Sequence, residues 1–184
     1  MKRSRAVKML IAAVASFVLL TVVFGLLYAR LGYAWLLAIA ITFFTTSYHF
    51  LMRIAVGESV TLLFKSREFN YDSPWYSQRS FEPKLYAFLK VKKWKADAIT
   101  AKPEQFDVKS RSIDELLHNM TQAELVHEIC MVLSFVPLVF IRWWGAPWAF
   151  IITSVLACLM DSVFVIIQRY NRPRVMRLKK RMSK

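Results

Sequence analysis

A glutamate and a histidine stand three positions apart where an apolar run begins, as Glu124-x-x-His127, and Glu128 follows directly. On a helix this spacing puts Glu124 on the face that carries both later residues. A carboxylate beside an imidazole orients the ring and raises its basicity, so we predict that His127 takes a proton from a sugar or alcohol hydroxyl. The alternative makes Glu124 a helix cap and His127 a boundary residue, and the sequence leaves both open. No second histidine completes an HExxH pattern, so no metal site is predicted.

Cys130 offers a second chemical route, because His127-x-x-Cys130 also places its two side chains on one helical face. A thiolate at this position can carry an acyl group as a thioester. The alternative is a small packing residue, which is the commoner use of cysteine in a membrane helix. Cys130 and Cys158 both lie inside apolar runs, so a disulfide framework is not predicted.

Three more ionisable residues, His49, Arg53 and Asp161, lie within apolar runs or at their ends. Such residues are costly inside a membrane, and their default interpretation is functional. His49 and Arg53 are four positions apart and share a helical face. We predict that all three belong to a substrate-binding site. The alternatives are a structural ion pair for Asp161 and a snorkelling side chain for Arg53.

The sequence QRYNRPR at 168–174 follows the last apolar run. Basic residues alone would anchor a helix end, but the tyrosine, asparagine and proline indicate a structured site at the lipid surface. We predict that Arg169, Asn171 and Arg172 line a pocket and bind donor phosphates or a developing oxyanion. The later basic residues are predicted to face lipid headgroups only; they are Arg177, Lys179, Lys180 and Arg181.

Basic and apolar residues alternate along 81–94, which predicts one short amphipathic helix on the membrane surface. Its end, KVKKWK at 90–95, can meet a phosphorylated donor, and we predict that Trp94 and Lys95 contact substrate. The alternative is a basic surface helix held on anionic lipid.

The chain has 184 residues, of which 57% are hydrophobic, and a formal net charge of +14. Because the basic residues cluster beside apolar runs, anionic headgroups are expected as partners and nucleic acid is not. Apolar runs at about 9–29, 33–52, 126–144 and 148–167 approach the ~20 residues that span a bilayer. The loops at 30–32 and 145–147 are short. The predicted fold is therefore all-α, with four transmembrane helices in two hairpins.

The whole chain, 1–184, is predicted to form a single multi-pass domain of the cell membrane. Because basic residues are sparse at the short turns and dense at both ends, both termini and the segment at about 53–122 are placed in the cytoplasm. Within that segment, Ser112-x-x-Glu115 predicts a capping box that opens a helix to about residue 119. Thr121-x-x-Glu124 predicts a second box that opens the third span. This topology brings the unusual polar residues to one leaflet.

Three stretches resemble the glycosyl-4,4'-diaponeurosporenoate acyltransferase family: VKKWK at 91–95, AELVHE at 123–128 and IIQRYNRPR at 166–174. The resemblance runs from about residue 81 to the C-terminus, and RYNRPR is its most specific part. It implies a small membrane enzyme that esterifies a fatty acyl chain onto the glucose of a carotenoid glycoside, as the last step of staphyloxanthin-type synthesis.

The leading hypothesis is therefore a membrane acyltransferase at the cytoplasmic leaflet. Its partners would be a lipid or glycolipid acceptor and an acyl donor such as acyl-CoA as co-substrate, with no further cofactor. The first alternative is a non-enzymatic membrane subunit or lipid-binding scaffold with a structural polar cluster. A helical membrane methyltransferase or reductase is the third hypothesis, and no nucleotide fingerprint supports it.

Overall fold

The computed structural model describes residues 5–64, 70–95 and 111–182. This part of the chain is helical and contains no strand, which confirms the predicted all-α fold. Four helical segments are long and apolar enough to cross a membrane, namely Lys8–Leu31, Ala34–Leu63, Ile113–Trp144 and Pro147–Met182. The protein is therefore a polytopic membrane protein. The parts of the predicted middle segment at 65–69 and 96–110 lie outside the described residues.

The first two helices, α1 (Arg5–Leu31) and α2 (Ala34–Leu63), form an antiparallel hairpin. Phe17 stacks on Phe43 and Phe50, while Phe24 stacks on Phe43, so later residues of α1 meet earlier residues of α2. Gly32 ends α1 in the left-handed conformation, with φ +74°, and its N–H donates to the carbonyl of Tyr28. A glycine adopts this conformation without steric cost, which explains the tight turn.

The third apolar segment is not one regular helix. Helix α5 (Ile113–Leu133) is followed by a 3₁₀ turn (Val136–Phe140) and by the short helix α6 (Ile141–Trp144). Pro137 lies at the start of the 3₁₀ turn, and a proline has no N–H to continue an α-helical ladder. Helix α7 (Pro147–Met182) is continuous through QRYNRPR, although Pro173 lies inside it.

The described middle segment is short and broken. A 3₁₀ turn (Pro74–Tyr76) precedes helices α3 (Glu82–Phe88) and α4 (Val91–Trp94). The prediction of one amphipathic helix over 81–94 is wrong, because Lys90 adopts the left-handed conformation with φ +52°. That break turns the chain so that Val91 becomes fully buried.

One of the two predicted capping boxes is confirmed. The N–H of Ser112 donates to the Glu115 carboxylate, and the N–H of Glu115 donates to the Ser112 hydroxyl. The second box does not open a helix, because α5 runs through Thr121 and Glu124 without interruption. The Thr121 hydroxyl instead donates to the carbonyl of Leu117, one turn earlier.

The chain forms two compact units. The first comprises Met1–Gly57 and Ile129–Asp161, and its core includes Leu36, Ile41 and Phe150. Many large apolar side chains of α1 are exposed, as is expected of a helix surrounded by lipid. The second unit comprises Glu58–Glu128 and Ser162–Lys184, and its core includes Leu116, Leu117 and Val91.

Candidate functional site

The second unit contains a buried arginine–carboxylate network, formed by Glu82, Glu124, Arg169 and Arg172. Glu124 lies on α5 and has no exposed surface. Its Oε1 is 2.7 Å from Nη1 of Arg169, and its Oε2 is 2.6 Å from Nη2 of Arg172. Nε of Arg169 is 2.8 Å from Oε1 of Glu82. Two guanidinium groups and two carboxylates thus neutralise one another, which is how charges are tolerated in a protein interior.

Arg169 also ties the irregular segment before α3 to this network. Its Nη1 donates to the carbonyl of Trp75, and its Nη2 donates to the carbonyl of Ser77, both at 3.1 Å. The indole Nε1 of Trp75 donates to the Glu128 carboxylate at 2.9 Å. Glu128 therefore helps to hold the segment that contains Trp75 against α5.

Arg172 is the most buried cation of the network, with 3% of its surface exposed. Its Nη1 donates to the Thr121 hydroxyl at 2.6 Å, and its guanidinium lies over the ring of Tyr76. Burial, followed by the nearby Glu128 and Glu124 carboxylates, raises the pKa of Tyr76, so its phenol stays neutral. Among the described residues, Nε of Arg172 has no hydrogen-bond partner.

His127 is half-buried on α5, one turn after Glu124. Its imidazole stacks on the ring of Phe164, with the centroids 4.5 Å apart and the planes 12° apart. The stacking fixes the plane of the ring while leaving its nitrogens at the edge. That Glu124 orients His127 stays a prediction, because the contacts described for the Glu124 carboxylate are those with Arg169 and Arg172.

A second polar cluster surrounds Tyr170 on α7. Lys95 Nζ is 2.5 Å from Oδ1 of Asn171 and lies over the Tyr170 ring. The guanidinium of Arg174 also lies over that ring, and its Nη2 donates to the Tyr170 hydroxyl at 2.8 Å. Burial, and then the charge of Arg174, lower the pKa of Lys95. The structure thus brings Lys95 and Asn171 together, whereas the indole of Trp94 donates to the carbonyl of Leu89.

A cavity of about 430 Å³ lies beside this cluster, within the second unit. Tyr86 and Tyr170 line it, with their rings in edge contact. Burial, and then the nearby Glu82 carboxylate, raise the pKa of Tyr86, so its phenol is neutral.

The prediction that Arg177 and Lys179 face headgroups only is wrong. Arg177 lines the cavity, and Lys179 pairs with Asp114 at 2.6 Å.

The first unit brings together the other predicted residues, His49, Arg53 and Asp161. Nη2 and Nε of Arg53 contact the two oxygens of the fully buried Asp161 at 2.6 and 3.1 Å. The remaining Arg53 contacts are with the carbonyls of His49 and Ala157. His49 is buried, and neither ring nitrogen has a partner among the described residues.

Cys130 is also fully buried, which limits the access that an acyl-carrying thiol needs.

Sequence reasoning missed Glu82 and Trp75. Glu82 precedes Pro83 at the start of α3, where an acidic residue is common for local reasons. Its partner Arg169 lies 87 positions later in the chain. Charge balance could have indicated a second acidic residue. Arg169 and Arg172 share a face of α7, and two buried arginines need more than one carboxylate.

Helices long and apolar enough to cross a membrane, with a buried guanidinium–carboxylate network and a stacked histidine, define a small helical membrane protein that contains a buried polar cluster. The chain belongs to the glycosyl-4,4'-diaponeurosporenoate acyltransferase family, whose model matches residues 72–181, more than half of the chain. The predicted resemblance is confirmed, and the protein is an acyltransferase. No curated protein and no solved structure matches the chain. Most predicted site residues fall within the matched range, while His49 and Arg53 precede it.

Proposed function

We propose that the protein transfers a fatty acyl group from an activated donor to a hydroxyl of a glycolipid-like acceptor at the cytoplasmic leaflet. By family membership, the acceptor class is a glycosylated carotenoid. The observation that carries the proposal is that α5 holds a half-buried histidine one turn after Glu124, which belongs to a buried arginine–carboxylate network with α7, all within the matched range.

His127 is the proposed general base. One ring nitrogen takes the proton of the acceptor hydroxyl while that oxygen forms an ester bond to the acyl carbonyl carbon. The bond from that carbon to the donor's leaving group then breaks, and the leaving group takes the proton. Stacking on Phe164 supports this role, because a ring held in one plane presents its nitrogens in a fixed direction.

The arginine–carboxylate network is proposed to position the reacting groups. Arg169 and Arg172 are already neutralised by Glu82 and Glu124, so they are weak candidates for holding donor phosphates. Nε of Arg172 has no partner among the described residues, and we propose that it donates to the developing oxyanion. The donor is proposed to be an acyl thioester such as acyl-CoA, as co-substrate, with no other cofactor.

The proposed orientation has both termini and the middle segment in the cytoplasm. It is supported by the distribution of basic residues, which are dense near both ends of the chain and include only Arg30 and Arg142 near the short turns.

The experiment is acyl transfer by purified full-length His127→Ala, with His118→Ala as the matched control on the same helix. We expect His127→Ala to lower kcat by about 10²-fold or more while the protein inserts and unfolds normally. His118→Ala is expected to keep normal activity. Full activity in His127→Ala would end the proposal for this residue.

A further inference from the structure

The cavity of about 430 Å³ is lined by five basic residues, Lys90, Lys92, Lys93, Arg174 and Arg177. Three come from the α3–α4 segment and two from the end of α7. None of the described lining residues is acidic. Its volume lies in the range of ligand-binding pockets, and its positive charge selects for an anionic ligand.

These cations differ from those of the arginine–carboxylate network in having no carboxylate partner among the described residues. Within the described part of the chain, Lys90, Lys92 and Lys93 form no ion pair, whereas Arg169 and Arg172 each contact a carboxylate within 2.8 Å. A cation without a carboxylate partner can neutralise the charge of a ligand, and a buried paired cation cannot do so without losing its partner. The cavity therefore offers cations that a phosphate ligand can use without displacing a described carboxylate.

Several of the cavity's side chains are held in place. The Tyr170 hydroxyl accepts a hydrogen bond from Arg174, and Nε of Arg177 donates to the carbonyl of Pro173. Lys90 adopts a left-handed backbone conformation, which is unfavourable for a residue with a Cβ. This residue follows the end of α3, which is a common place for the left-handed conformation, and Lys90 and the following Lys92 and Lys93 all line the cavity.

We propose that this cavity binds the phosphate groups of the acyl donor, and specifically the multiply charged head of an acyl-coenzyme A. This inference rests on the proposed function. Five cations at one cavity match a diphosphate with a further phosphate better than they match the single charge of a common phospholipid headgroup. Arg172 and His127 then serve the acyl end of the reaction, while the cavity holds the donor's charged end.

The test measures coenzyme A binding to the purified full-length protein in neutral detergent by calorimetry. Coenzyme A is expected to bind more tightly than 3'-dephospho-coenzyme A, and pantetheine is expected not to bind. Higher ionic strength should weaken the binding, because the contacts are charge–charge contacts. Equal affinity for coenzyme A and pantetheine would overturn the proposal.

The double variant Lys92→Gln/Lys93→Gln should bind coenzyme A about tenfold or more weakly. It should raise KM for acyl-coenzyme A and leave kcat unchanged. The matched control is Arg79→Gln/Lys84→Gln, which removes two exposed charges from the same segment outside the cavity lining. Equal loss in the control would show that net charge alone attracts the ligand, and would overturn the site.

Comparing coenzyme A binding with ester formation from different acyl donors separates this inference from the proposed function. If the enzyme forms the ester from a phospholipid donor and coenzyme A does not bind, the cavity assignment fails while the proposed function stands. If coenzyme A binds and the lysine variant weakens it, the cavity assignment holds even where no ester forms. That second outcome would overturn the proposed function alone.

Discussion

Replacing Glu124 with leucine should destabilise the protein more than replacing its buried partner Arg172 with leucine. Glu124 contacts both Arg169 and Arg172. Arg169 would keep Glu82 and two backbone carbonyls as partners. Among the residues that the structure describes, Arg172 would keep the Thr121 hydroxyl and the ring of Tyr76 as partners, with 3% of its surface exposed to water.

The expected cost follows from this asymmetry. Leaving a buried charge without its partner costs about 3–5 kcal/mol of unfolding free energy. Arg172→Leu should cost less, about 1–3 kcal/mol, because Glu124 keeps Arg169 as its counter-ion. The double variant Glu124→Leu/Arg172→Leu should be more stable than Glu124→Leu alone, since it removes the unpaired charge together with its former partner.

The measurement is reversible unfolding in mixed micelles of increasing denaturing-detergent content, followed by the fluorescence of the six tryptophans. The two single variants and the double variant form a thermodynamic cycle. If the double variant loses at least the sum of the two single losses, Arg172 does not depend on Glu124 and the network is misassigned.

His49→Phe should raise the free energy of unfolding by about 1 kcal/mol, because it removes two buried ring nitrogens that have no described partner. If His49 binds the acceptor, transfer activity should fall in the same variant; unchanged activity would remove it from the site. Lys90→Gly should raise stability by roughly 1 kcal/mol by relieving the left-handed strain, and it should weaken coenzyme A binding. Lys90→Ala separates the two effects, because calorimetry should show the weaker binding and thermal unfolding should show no stabilisation.

The apolar runs were sufficient to predict the helical class, the four candidate spans and the short turns. These features depend on length and hydropathy over many neighbouring residues, which local sequence reports directly. The Ser112–Glu115 capping box could also be predicted, because both of its partners lie within one turn of each other.

The same pattern at Thr121–Glu124 was misleading, and the reason is physical. Glu124 is engaged by two arginines more than 40 positions later in the chain, so its carboxylate does not turn back to cap its own helix. Glu82 was missed for the same reason. A local pattern reports which groups could cap a helix, whereas burial beside a distant guanidinium decides which partner a carboxylate takes.

The charges of this protein fall into two populations with different consequences. The described structure contains two neutral buried groups. One is the pair of Arg53 and Asp161, and the other is the network of Arg169, Arg172, Glu82 and Glu124. These groups contribute nothing to the net charge of +14, which therefore comes from cations elsewhere in the chain. Removing a charge from a buried group should change stability with little dependence on salt, because buried pairs are poorly screened. Removing one from the cavity should change ligand affinity in a salt-dependent way, and this contrast distinguishes residues that hold the fold from residues that bind the donor.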